Sequence, residues 1–181
     1  TFRNQNVGDD YVNSLSQGLL YADNIRKVDL AANRLTKYGV NPLFKSINEN
    51  KKLQKGIKIL DLSFNKIGEY GIEKLIYYIN DDECNLEEIS LEGNSLGDKN
   101  INKLCETIGE SLSDRIQTLN ISRNLITDES CVSIANLIQK CFGLKILMCS
   151  WNHIRNYGAS LMINKLKKHN KITYLLLTLI F

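Results

Sequence analysis

Histidine is scarce in this chain: only His153 and His169 occur among 181 residues, and no cluster of histidine, cysteine and carboxylate has metal-ligand spacing. No metal and no cofactor are therefore expected. Motifs that would carry catalysis are missing as well. The chain has no P-loop, no GxGxxG turn and no nucleophile elbow, so an enzyme is not the expected reading. Charge of one sign is also lacking, because 23 basic and 20 acidic residues leave only +3. So small an excess gives no field to gather nucleic acid or an anionic membrane. The five cysteines, Cys84, Cys105, Cys131, Cys141 and Cys149, form no CxxC pair and no even disulfide framework. They fit small buried apolar positions in a reducing, cytoplasmic compartment. The opening TFRNQNVGDD lacks the basic start and apolar run of a secretory signal. The apolar tail from Ile172 to Phe181 is about half of the roughly 20 residues that a membrane-crossing helix needs.

What the chain does have is repetition. The pattern L-x-x-L-x-L-x-x-N-x-L occurs five times, with conservative changes. Its copies are Ile25, Val28, Leu30, Asn33, Leu35; Ile57, Leu60, Leu62, Asn65, Ile67; Leu86, Ile89, Leu91, Asn94, Leu96; Ile116, Leu119, Ile121, Asn124, Ile126; and Leu144, Leu147, Cys149, Asn152, Ile154. Successive asparagines are 32, 29, 30 and 28 residues apart, which leaves room for one strand and one helix per unit. A partial copy precedes the first, with Gln5, Val7, Leu15 and Leu19 in the places of Asn94, Leu96, Leu104 and Ile108. A sixth begins at Ile172, Leu175 and Leu177, where Ile180 takes the asparagine place. One domain over 1–181 is expected, with a partial repeat 1–24, repeats starting near 25, 57, 86, 116 and 144, and an incomplete repeat 172–181.

The second half of each unit is helical in spacing. Apolar pairs four apart, Leu43/Ile47, Leu75/Ile79, Leu104/Ile108, Ile134/Ile138 and Met162/Leu166, fall on one helix face. Six residues after each asparagine stand Gly39, Gly71, Asn100, Ser130 and Gly158, which read as small or left-handed-tolerant residues where the loop turns into the helix. Asn41 before Pro42 reads as a helix cap and first turn, starting the first full helix late.

The segment x-x-L-x-L alternates as a strand does, so equal copies pair into a parallel sheet. Strands lie roughly 4.8 Å apart while helices need roughly 8–10 Å, so the stack curves with the sheet inside. An α/β horseshoe solenoid follows, with the sheet concave and the helices convex. Buried amides must be hydrogen-bonded, which predicts a ladder of Asn33, Asn65, Asn94, Asn124 and Asn152 bonding the main chain of neighbouring repeats. LDLSFNKIGEYGIEKL and ISLEGNSLGDKNINKL resemble the ribonuclease-inhibitor-like leucine-rich repeat family. That resemblance implies intracellular protein recognition through the concave sheet or a rim of loops. It also admits regulation of a small GTPase, or a structural place in a cytoskeletal or ciliary assembly.

Outward positions between the motif leucines form columns. One runs Lys27, Ile59, Glu88, Thr118, Ile146, Tyr174, and the next Asp29, Asp61, Ser90, Asn120, Met148, Leu176. Both pass from polar to apolar. Ala32, Phe64, Gly93, Arg123 and Trp151 precede the ladder asparagines. The expected partner-binding residues are thus Phe64, Arg123, Ile146, Met148, Trp151, Tyr174 and Leu176, contacting a protein of unknown identity. Asp29 and Asp61 can receive a basic partner group or be balanced by Lys27 and Lys58. The lysines of NENKKLQKGIK and NKLKKHNK read as solvated loops, and Asn120-Ile121-Ser122 as a strand segment instead of a glycosylation site. Self-association through the uncapped C-terminal end is a further expectation.

Overall fold

The computed structural model describes residues 1–167 and 172–177. Strands and helices alternate along it: α1 Gly8–Leu19, β1 Lys27–Asp29, α2 Lys37–Glu49, α3 Lys51–Gly56, β2 Ile59–Asp61, α4 Gly68–Ile79, β3 Glu88–Ser90, α5 Asp98–Ser111, β4 Thr118–Asn120, α6 Asp128–Lys140, β5 Ile146–Met148, α7 Asn156–Leu166 and β6 Tyr174–Leu176. The strands form one parallel sheet in sequence order, and their register reproduces the two columns read from the sequence. Leu60, Leu62, Ile89, Leu91, Leu119, Ile121, Leu147 and Cys149 point to the helices and are buried. The helical pairs close the core from the other side, fully except at the half-buried Leu166. The fold is an α/β solenoid with helices on one face of the sheet only. All five cysteines are buried, and burial pushes the Cys131 and Cys141 thiols up to about 12.

The asparagines form a continuous ladder. Asn65 Oδ1 accepts from the N–H groups of Asn33 and Leu35 at 3.0 and 2.9 Å, and Asn124 Oδ1 from those of Asn94 and Leu96 at 3.1 and 3.0 Å. Each Nδ2 returns to carbonyls of its own turn and of the preceding repeat. The first segment joins the same scheme, because Gln5 and Val7 donate to Asn33 Oδ1 while Phe2 N donates to Asp29 O.

Three expectations are corrected. The small residues six places after the asparagine do not turn the chain left-handedly; Gly39, Gly71, Asn100, Ser130 and Gly158 lie inside helices. Left-handed backbone occurs instead just before the asparagine, at Ala32, Phe64, Gly93, Arg123 and Trp151, with φ between 55° and 67°. This bend aims the next two ladder N–H groups at one Oδ1. Second, α2 begins at Lys37 with Thr36 as cap, and Pro42 lies within it. Asn41 is no cap; its Oδ1 accepts from Tyr70 Oη. The earlier start is fixed by Asp9, whose carboxylate accepts from Thr36 N and Oγ1 at 2.8 and 2.6 Å. Third, the lysine-rich segment after Asn50 is the short helix α3, capped by Asn50 Oδ1 on Leu53 N. That extra turn accounts for the longest repeat. Lys51, Lys52 and Lys55 pair with Asp81, Asp23 and Glu83 of neighbouring repeats. Ile180, the tail LLLTLIF beyond Leu177 and half of the second lysine cluster lie outside the described residues.

The Asp9 arrangement recurs and explains three of the small residues, Gly39, Ser130 and Gly158. Asp98 accepts from Thr127 N and Oγ1 at 2.9 and 2.8 Å and from Ser130 Oγ, and Asp128 accepts from Arg155 N at 2.8 Å. A carboxylate opening one helix thus caps the next. A Cβ at Gly39 or Gly158 would stand 2.5 Å from the oxygen of Asp9 or Asp128, so glycine admits the carboxylate there. Burial pushes the Asp98 carboxyl up, but hydrogen bonds from Ser130 and Thr127 outweigh it and hold it below its ordinary value. A lowered folded pKa means stability that is complete above the unfolded value of about 3.9 and is lost as pH falls through the folded one. Asp98→Ala should therefore cost about 1–3 kcal/mol near neutrality by leaving Thr127 N unpaired, and distinctly less near pH 3. Denaturant midpoints of both proteins at the two pH values check this; a pH-independent difference would refute the capping role.

Candidate functional site: the open face of the sheet and its rim

Helices cover one face of the sheet, so the outward columns and the bends that follow the strands form the accessible surface. Its N-terminal part is already occupied. Arg3 lies across Asp29 and Asp61, with Nε 3.3 Å from Asp29 Oδ2 and Nη2 bonded to Asp61 Oδ2. Both aspartates are consequently buried instead of open. Burial pushes the Asp29 carboxyl up, yet hydrogen bonds from Ala31 N and Arg3 hold it low. Lys27 also stands 3.5 Å from Asp29, whereas Lys58 turns to Glu87. Of the two balancing lysines expected, one serves; the main counter-charge is an arginine that column reading missed.

The centre of the face is polar and internally paired. Ser63 and Ser90 hydroxyls share a 2.6 Å hydrogen bond. Glu92 accepts from Asn120 Nδ2 at 3.0 Å and pairs with Arg123 Nε at 3.0 Å. The Arg123 guanidinium also lies 4.9 Å from the centre of the Trp151 ring. Arg123 is therefore held by a carboxylate on one side and an indole on the other, and its charge stays half-exposed.

The residues expected to bind a partner fall into two adjoining groups. Ile146 and Met148 on β5 pair in register with Tyr174 and Leu176 on β6. Tyr174 and Leu176 are exposed, Ile146 and Met148 half-buried. Phe64, Arg123 and Trp151 stand on the rim, each at the left-handed position of its repeat. Trp151 is the most open of these, at 62%. Phe64 is set apart from Arg123 and Trp151 in the stack, and its ring rests where a side chain on Gly93 would go: a Cβ there would be 2.8 Å from Phe64 Cδ1. Gly93 is thus required twice, by its φ of 67° and by the Phe64 ring. The sequence reading also missed Leu125, half-exposed one residue after a ladder asparagine on the same rim as Arg123 and Trp151.

The profile described as Leucine Rich repeat matches residues 57–75 and 116–135, the second and fourth copies with the opening of their helices. The fold described above, helices and parallel strands alternating in one sheet, is consistent with a solenoid of such repeats. Human "NACHT, LRR and PYD domains-containing protein 13" is 32% identical to it over 88 residues, which is 49% of this chain and 8% of that protein. The solved structure of "Leiomodin-1 Actin-Binding Site 2 (ABS2)" superposes with a TM-score of 0.54 at 13% identity, over 60% of this chain and 62% of that one. At such identity the likeness concerns the fold. The chain spans less than two thirds of the length of either protein. Among its described residues no helix is long and apolar enough to cross a membrane, and no group of three or more metal-ligating side chains is placed to hold an ion.

Proposed function

We propose that the solenoid binds another protein without catalysing a reaction, gripping it between the apolar end of the sheet and the adjoining rim. The observation that carries this reading is the row of Tyr174, Leu176 and Trp151, three large side chains left exposed beside half-buried Ile146 and Met148. Aromatic and aliphatic groups clustered on an open face, with a half-exposed arginine beside them, are what binding hot spots are made of. Leu125 and Arg123 extend the contact along the rim, and Phe64 marks its far margin. Ile146, Met148, Tyr174 and Leu176 stand on paired strands, so little backbone ordering opposes association there. The repeat length of 28–32 residues with a helix in each unit supports the ribonuclease-inhibitor-like subtype, and five buried cysteines support a cytoplasmic setting.

A pull-down from native source with wild-type protein and with the Trp151→Ala, Tyr174→Ala double variant tests the surface. Both side chains are exposed, so the variant should keep its circular dichroism spectrum and lose most of its partner. Undiminished recovery by a folded variant would count against the surface. GTP hydrolysis by small GTPases is expected to be unchanged by the protein; stimulation would replace this reading with a regulatory one.

A further inference from the structure

The chemistry of the missing partner is written in the carboxylates of the open face. Four of them face outward: Asp29, Asp61, Glu88 and Glu92. Three are paired with cations of this same chain, Asp29 and Asp61 with Arg3 and Glu92 with Arg123. Glu88 differs. It is exposed on β3, and among the described residues its carboxylate makes no hydrogen bond or ion pair. Its column neighbours are Ile59 and Thr118, which bring no charge. Along that column lie Ile146 and Tyr174, two and three strands away, which at strand spacing is roughly 10 and roughly 14 Å.

We propose that the partner presents a polypeptide segment in which a lysine or arginine stands roughly 10–14 Å from a cluster of aliphatic or aromatic side chains. The cation takes Glu88, and the apolar cluster takes Ile146, Met148, Tyr174 and Leu176. This rests on the reading that the apolar end of the sheet binds protein, and adds the charge and spacing of what binds. Arg3 and Arg123 show the mode from within the molecule: each acid on this face that has a partner holds a guanidinium. An acidic segment or a nucleic-acid phosphate would meet Glu88 without compensation, and like charges facing each other cost more than an exposed pair returns.

The test uses two labelled synthetic peptides that share one apolar cluster of leucine and tryptophan, one carrying arginines at that spacing and the other glutamates. Fluorescence polarisation is read with wild-type protein, Glu88→Lys and Met148→Glu. Wild type should prefer the basic peptide by roughly tenfold, Glu88→Lys should reverse the preference, and high salt should shrink both differences. Met148→Glu should abolish binding of the two peptides alike. Equal affinities for wild type, an order unchanged in Glu88→Lys, or no binding of either peptide would overturn the inference about charge. If both peptides bind Met148→Glu as they bind wild type, the apolar surface itself is misplaced, a failure distinct from the first. Glu88 is exposed, so its replacement leaves the fold intact, and circular dichroism confirms this for both variants.

Discussion

Replacing Asn124 by leucine should lower stability by roughly 2–6 kcal/mol, because two buried N–H groups lose their acceptor at about 1–3 kcal/mol each. Those groups are Asn94 N and Leu96 N, at 3.1 and 3.0 Å from Asn124 Oδ1. Three carbonyls, of Leu91, Ile121 and Ser122, lose the Nδ2 donor as well. Leucine restores none of this, and its hydrophobicity does not help in a channel lined with main-chain polar groups. The loss is large against the roughly 5–15 kcal/mol that holds a domain of ordinary size. Since each repeat touches only its neighbours, the lesion should also uncouple the stack on either side of β4. Urea unfolding followed by circular dichroism should show a lower midpoint and a broader transition. A loss below about 1 kcal/mol would mean that water replaces the ladder and that the asparagines are ornamental.

The fold was largely legible because its cause is periodic. Leu60 and Leu62, and their counterparts in every copy, repeat at fixed offsets, so alternation, register and core were set before any coordinate was known. The ladder was legible for the same reason, since Asn33, Asn65, Asn94, Asn124 and Asn152 keep one place. Interactions carried by only some repeats were not. Asp9, Asp98 and Asp128 each cap the following helix, whereas Lys37 and Glu69 fill that place elsewhere and hide the pattern. The smallness of Gly39 and Gly158 was visible, but its cause lay in a carboxylate from the preceding repeat, and was misread as a backbone turn. The true left-handed position carries Phe64, Arg123 and Trp151, side chains that give no hint of positive φ. Phe64 and Arg123 hold it because their N–H groups donate to Glu92 O and Ser150 O of the next repeat.

The candidate surface divides along the same line. Ile146, Met148, Tyr174 and Leu176 could be placed side by side from register alone. The joining of Arg123 to both Glu92 and Trp151 could not, since it needs side-chain lengths and the bend before each asparagine. Arg3 escaped notice because it belongs to a segment before the first full repeat, yet that segment pairs with β1 and closes the acidic end of the face. A charge that looked available to a partner was already taken, and the one that remains, Glu88, drew no attention in the sequence.

A second large effect concerns position in the stack. Leu91→Ala should cost about 2–5 kcal/mol, the usual range for a truncated leucine whose site cannot collapse. Leu91 is fully buried and precedes a strand exit held on both sides, by Leu91 N on Asn120 O and by Asn94 and Asn124 on Leu91 O. The backbone there has no freedom to close the cavity. Leu177→Ala removes the same atoms from the equivalent inward place of the sixth copy, just past β6, where the side chain is only half-buried. Less area is withdrawn from water there, so the cost should be about 1 kcal/mol or less. The pair separates two accounts of stability. If each leucine contributed a fixed amount whatever its place in the stack, the two truncations would match. A nearest-neighbour stack instead makes the central one several times worse, because its cavity weakens the interfaces with β2 and β4 together. Equal losses in chemical unfolding would reject that description, and with it the expectation that damage at Asn124 spreads to both sides.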